Sequence, residues 1–89
     1  MILAVCDEEL LGRTFSEGKL QITVYESFYK GALVDSEGLE RHMRSATILN
    51  LVGERAVNKA VEMGWVDPDN ILRIQGIPHA QAAIMFEED

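Results

Sequence analysis

Four basic side chains are spaced so that they come together in pairs on helical segments. Arg41 and Arg44 are three residues apart and Arg55 and Lys59 are four apart, so each pair shares one helix face. If the two helices lie side by side, the pairs form a positive patch that can bind phosphates or an acidic partner. The alternative is a solvated helix surface whose charge is offset by nearby glutamates. These are Glu40, Glu54 and Glu62.

A second group of polar residues lies near glycine or proline. Asn50 begins a segment with one glycine, which lacks the GxGxxG or Walker pattern of a phosphate loop. His79 and Gln81 follow Gly76 and Pro78, two residues typical of a loop, of which the proline restricts the backbone. Their donors and acceptors suit a binding loop held on a rigid scaffold, or they bond nearby backbone groups. Asn50, His79 and Gln81 therefore join the four basic residues as candidate binding residues.

Residues that commonly carry catalysis or bind metals are few. Cys6 is followed by Asp7 and Glu8, whose charges would raise the thiol pKa, whereas a nucleophilic cysteine needs a lowered one. His42 and His79 are far apart and belong to no CxxC or HExxH pattern. We predict no catalytic residue, no metal site and no cofactor. The remaining catalytic alternative is a pairing of Cys6 with His79 in space.

The composition predicts one globular domain over residues 1–89. The chain is 47% hydrophobic and 26% charged, and none of its apolar runs approaches the roughly 20 residues that span a bilayer. A single cysteine gives no internal disulfide, so we expect a cytoplasmic protein without a membrane partner. The net charge of −7 opposes general nucleic-acid binding without excluding a local basic patch. Residues 86–89 are expected to form a frayed acidic tail.

The strands that must position these residues are predicted from apolar runs and alternation. Residues 1–6 are continuously apolar and predict a buried central strand. Aliphatic and polar residues alternate over residues 20–25, which indicates a half-buried strand. Residues 71–74 and 81–86 are the last strand candidates, with a loop over residues 76–81 between them.

Two helices are predicted in the middle of the chain. Ser36 is the expected N-cap of the first, and apolar residues then recur at steps of three and four as far as Met63. One helix of that length would exceed the diameter of a small domain, so we expect a break between Thr47 and Asn50, with Thr47 capping the second helix and Gly64 ending it. The order of elements predicts an α+β fold: a mostly antiparallel sheet with two helices packed on one face as a two-layer sandwich.

Four segments together resemble one archaeal family. They are AVCDEELLG at residues 4–12, NLVGERAV at 50–57, VDPDN at 66–70 and IPHAQ at 77–81. In this order they are similar to the family named domain of unknown function 424, and the resemblance covers nearly the whole chain. It implies a stand-alone archaeal protein with an α+β fold and an association with translation as an RNA-binding protein. It supplies no catalytic residue.

Residues and resemblance together favour a non-catalytic binding module. The first hypothesis is a translation-linked module that contacts RNA or a ribonucleoprotein through the basic residues. The alternative is an adaptor that binds another protein without nucleic acid, anchored by exposed aromatic residues. The candidates for such anchors are Tyr25, Phe28, Tyr29 and Trp65.

Overall fold

A four-stranded sheet forms the centre of the computed structural model, which describes residues 2–83. Its strands, in spatial order, are β1 (Ile2–Cys6), β4 (Ile48–Val52), β6 (Ile77–Ala83) and β5 (Leu72–Ile74). β1 is parallel to β4, while the β4–β6 and β6–β5 pairs are antiparallel. A separate antiparallel hairpin consists of β2 (Thr14–Glu17) and β3 (Leu20–Thr23). The prediction of a mostly antiparallel sheet is confirmed.

Three α-helices connect these strands. They are α1 (Glu26–Tyr29), α2 (Ser36–Ser45) and α3 (Glu54–Glu62). Short 3₁₀ turns occupy Glu8–Leu10 and Pro68–Asn70. Within residues 2–83, every helix is too short or too polar to cross a bilayer.

The sheet separates two apolar clusters, because alternate residues of β4 point to opposite faces. Leu49 and Leu51 are fully buried against Met43 of α2 and Val57 of α3. The Val52 side chain points to the other face of the sheet, where it belongs to a second apolar cluster. The other members of this cluster are Leu10, Phe15, Val24 and Ile74, with Tyr29 of α1 packed against them. The two long helices therefore share one face, as the α+β sandwich predicts, while α1 and the hairpin cover the other.

The predicted second helix is wrong over its first part. Ile48–Val52 is the strand β4, and the helix begins only at Glu54. A short, nearly continuous apolar run fits a buried strand and a buried helix equally well by periodicity. The β-branched ends of ILNLV and its pairing on both edges, with β1 and β6, decide for a strand. Thr47 therefore precedes a strand and caps no helix.

Two predictions about strand position are also wrong. β1 lies at the edge of the sheet, with most of its residues only partly buried, and the central position belongs to β4. The predicted loop at residues 76–81 is largely part of β6. Pro78 fits there because it lies beyond the last β4 pair, Val52–His79, where its carbonyl accepts the amide hydrogen of Gly53 at 2.9 Å.

The helix ends follow the sequence closely. Asp35, not Ser36, caps α2, since its carboxylate accepts the amide hydrogen of Gly38 at 2.8 Å. The predicted end of α3 at Gly64 is confirmed: Gly64 has φ +83, and the amides of Gly64 and Trp65 bond back to Val61 and Ala60. The predicted strand at residues 81–86 belongs to β6 over residues 81–83, and its remainder and the acidic tail at 86–89 lie outside the described residues.

Candidate functional site

The predicted basic patch exists only in part. α2 and α3 pack on the same face of the sheet, and the carboxylate of Glu40 on α2 brings Arg44 and Lys59 together. Its oxygens lie 2.5 Å from Arg44 Nη2 and 3.4 Å from Lys59 Nζ. The Lys59 side chain is only 14% exposed. Glu62 Oε1 lies 4.0 Å from Lys59 Nζ, so two basic and two acidic side chains of this cluster balance in charge.

Arg55 belongs to a different cluster. It pairs with Glu9, and its Nε lies 3.8 Å from Asp7 Oδ2. Arg41 is exposed and forms no ion pair with any residue between 2 and 83. The four predicted basic residues thus do not combine into one positive surface.

The three polar candidates lie on the opposite face of the sheet from α2 and α3. Asn50 of β4 pairs with Gln81 of β6, and His79 lies two positions before Gln81 on the same strand, opposite Val52. Alternation places all three side chains on the hairpin side. Burial lowers the pKa of His79, which favours a neutral imidazole. The seven predicted binding residues therefore form at least two separate groups.

Cys6 and His79 are too far apart to act as a catalytic pair. Cys6, Val52 and His79 occupy one row across three neighbouring strands, so Val52 stands between the thiol and the imidazole. Two strand spacings amount to about 10 Å, beyond hydrogen-bonding reach. Over the part of the chain that is described, no group of three or more His, Cys, Asp or Glu residues could hold a metal ion.

A groove of about 1020 Å³ lies beside the edge strand β1. Residues 30–35 join α1 on one face of the sheet to α2 on the other, and this connection forms the outer wall of the groove. The remaining lining comes from both layers: Leu39, His42 and Lys59 on the helical side, and Leu11, Phe28 and Tyr29 on the other. The groove therefore follows the open edge of the sandwich.

The floor of this groove is strand backbone. The amide of Asp7 bonds to the carbonyl of Val52 at 3.1 Å, so Asp7 directs its backbone towards β4. Because strand residues alternate in this respect, Ala4 and Cys6 direct their N–H and C=O groups into the groove. No strand among residues 2–83 pairs with that side of β1.

Exposed apolar side chains lie along the outer wall of the groove. Leu33 is 77% exposed, Phe28 52% and Val34 44%, although all three are apolar. A cluster of exposed apolar side chains beside an unpaired strand edge is typical of an interaction surface.

Cys6 lies on the groove floor and can report on it. Burial, then the charges of Asp7 and Glu9, raise the pKa of its thiol, so less thiolate is present at a given pH. We expect iodoacetamide to alkylate Cys6 more slowly than an exposed cysteine. The alkylation rate of Cys6 should also rise at a more alkaline pH than the rate of the exposed cysteine does. The control is a Ser27→Cys variant in a Cys6→Ser background, since Ser27 is exposed on α1. Equal rates and equal pH midpoints would contradict this prediction.

The start of α3 is already occupied by a carboxylate of the chain. Asp7 is 7% exposed, and its two oxygens accept the amide hydrogens of Arg55 and Ala56 at 3.1 and 2.9 Å. A helix N-terminus after a strand and a glycine is otherwise a common anion site. Here that position is filled from within, so it does not serve an external phosphate.

Sequence reasoning missed the groove because its parts are far apart in the chain. The continuous apolar run at residues 1–6 predicts a central strand, and a central strand has no free edge. The available signal was the apolar pair Leu33–Val34 in a segment without the pattern of a buried element. Only Arg55 and Lys59 of the predicted binding residues line the groove.

Comparisons with known proteins agree with this fold. The family model described as "Protein of unknown function (DUF424)" matches residues 1–85. The crystal structure of an uncharacterized conserved protein from Methanopyrus kandleri is similar, with a TM-score of 0.81 and 29% identity over 99% of this chain and 84% of that one. A comparison with curated proteins finds none that matches.

Proposed function

Because the chain belongs to the DUF424 family, whose function is unknown, we propose from its own geometry that it is a non-catalytic module that binds another protein in the β1 groove. The observation that carries the proposal is the unpaired edge of β1 facing a groove with an exposed apolar wall. We place this activity in the cytoplasm and in one domain formed by residues 1–89.

The groove suits a polypeptide because it combines backbone groups with apolar surface. The outward N–H and C=O groups of Ala4 and Cys6 match the backbone of another chain. Phe28, Leu33 and Val34 supply apolar contacts along the wall. Of these, the aromatic Phe28 is of the type enriched in protein interfaces.

The translation-linked hypothesis, a contact with RNA or a ribonucleoprotein, has less support. Arg44 and Lys59 would have to release Glu40, and Arg55 would have to release Glu9, before binding phosphate. Arg41, exposed on α2, is the observation that favours it. A ribonucleoprotein whose protein component binds the groove would satisfy both hypotheses.

A site-specific crosslink distinguishes these partners. Lys30 lines the groove and is exposed, whereas Lys19 is exposed in the β2–β3 turn and does not line it. Each is replaced by the photoreactive residue benzoylphenylalanine, and the protein is irradiated in an extract of the source organism. We expect an adduct from position 30 but not from position 19, sensitive to protease and resistant to ribonuclease.

Two results would overturn the proposal. The first is the same adducts from both positions, or none from either. The second is a position-30 adduct that ribonuclease removes, which would move the support to the RNA hypothesis. Adducts that still form when irradiation takes place at high salt would further favour a groove contact over an electrostatic phosphate contact.

A further inference from the structure

We propose, building on the function proposed above, that the partner enters the groove as an additional strand: an extended, positively charged segment of another protein pairs with the outer edge of β1. This assigns the mode of recognition and the chemistry of the partner. The argument rests on backbone direction, on the two walls of the groove and on charge.

The backbone of β1 sets the geometry of the added strand. Ile2–Cys6 contains five residues, and an edge of that length is about 16 Å. Leu3 and Val5 use their backbone groups on β4, while those of Ala4 and Cys6 point outward. A partner strand can therefore bond to alternate residues of β1 without breaking a bond of the sheet.

The two walls of the groove contact alternate side chains of the added strand. On the helical side, the floor residues Leu3 and Val5 pack against the apolar cluster, and Leu39 and Lys59 form the wall. On the other side, the wall beside Ala4 and Cys6 contains Tyr29 and Leu11. Because strand side chains alternate in direction, successive partner residues meet the two walls in turn. A segment with apolar residues in this stretch fits the groove.

Charge decides between a second copy and a different protein. The chain carries a net charge of −7, so a second copy placed edge to edge would repel the first. Three charged lining residues form no ion pair with a described residue: Glu8 and Asp35 are acidic and Lys30 is basic, which leaves one negative charge in excess. Arg55 and Lys59 on the wall are already paired. A segment carrying lysine or arginine beside its apolar core complements this surface.

A proline substitution tests the strand pairing. Ala4→Pro removes one outward N–H from the edge strand, where proline is tolerated, and leaves every bond to β4 in place. Ala4→Gly is the matched control, because it retains the N–H while removing the side chain. Thermal unfolding first shows that both variants fold.

Random displayed peptides are then selected on the immobilised full chain alone, and the affinity of each for both variants is measured afterwards. We expect selected peptides to share an apolar extended core with lysine or arginine beside it. Their affinity should fall by about tenfold for Ala4→Pro, as expected for a lost hydrogen bond, and little for Ala4→Gly. Methylation of a single backbone nitrogen of the peptide should abolish binding at every second position and be tolerated at the positions between, since only alternate amides of the added strand face β1.

The outcomes separate this inference from the function on which it rests. One outcome is a set of peptides that protect Cys6 from alkylation although their affinity is unchanged by Ala4→Pro and their N-methylation shows no alternating effect. Such peptides bind the groove in another way, which overturns strand addition alone. Selected peptides that leave Cys6 unprotected overturn both proposals. Acidic or uncharged peptides overturn the predicted partner chemistry. Concentration-dependent dimers that Ala4→Pro abolishes would identify a second copy of the chain as the occupant, which also overturns the predicted partner chemistry.

Discussion

Replacing Gly53 with alanine is expected to lower the free energy of unfolding by about 3–5 kcal/mol, a large share of the roughly 4–13 kcal/mol typical of a chain this long. Gly53 has φ +110 and ψ 155, a region almost confined to glycine. A Cβ there would lie 2.4 Å from Cγ of Asp7. Asp7 cannot move aside without losing its bonds to Arg55 and Ala56. Urea unfolding of the purified variant measures the change.

Gly64→Ala is the matched control for this experiment. Gly64 also has positive φ, at +83, but a Cβ there would have no atom within 4 Å. Only the left-handed conformation is penalised, at about 1–2 kcal/mol. Similar losses for the two variants would show that the close approach of Asp7 has no energetic consequence. Gly53→Ala should also cost less in an Asp7→Ala background, because the two closest atoms, Cγ and Oδ2 of Asp7, are then absent and only its Cβ, at 2.8 Å, still clashes.

The fold was predictable where local chemistry decides the structure. The Gly64 helix end, the turn at Pro68–Asn70 and the positive φ of Gly18 follow from residue type. Residues 48–52 were not predictable in the same way, because ILNLV suits both a strand and a helix. Its pairing with β1 and β6 comes from segments more than 25 residues away in the sequence. Tertiary contacts therefore determine that residues 48–52 form a strand, and the periodicity of the local sequence carries no information about those contacts.

The candidate site was less predictable than the fold. Helical spacing correctly placed Arg55 and Lys59 on one element, but their neutralisation depends on Glu9 and Glu40 from other elements. The groove needs β1 at the sheet edge and residues 30–35 beside it, and neither fact is visible in local sequence. Edge position depends on the order of the strands in the sheet, which no single segment determines.

One junction links the groove to the stability of the fold. Asp7 follows β1, so the carboxylate that caps α3 is attached directly to the strand whose edge is open. Its amide also bonds to Val52, and Gly53 bonds to Pro78 of β6. The end of β1, the start of α3 and β6 are therefore held together at one point. This arrangement keeps the edge strand in place although only one of its sides is paired.

Replacing Asp7 with alanine is accordingly expected to lower the free energy of unfolding by about 2–4 kcal/mol, since two backbone donors of α3 lose their acceptors. Asp7→Asn should cost less, because one amide oxygen remains to accept from Ala56 while the charge at the helix N-terminus is lost. Urea unfolding of both variants measures the order. Equal costs would mean that charge, rather than the number of acceptors, sets the contribution of Asp7.

The empty position in Asp7→Ala provides a direct test of the capping role. Formate is the carboxylate that alanine lacks, and a ligand that binds only the folded state stabilises it in proportion to its concentration and affinity. We expect formate to restore part of the lost stability in Asp7→Ala and to leave the wild type unchanged, with chloride at equal ionic strength as the control. Equal effects of formate on both proteins would show that the carboxylate acts through general salt effects and not at the start of α3.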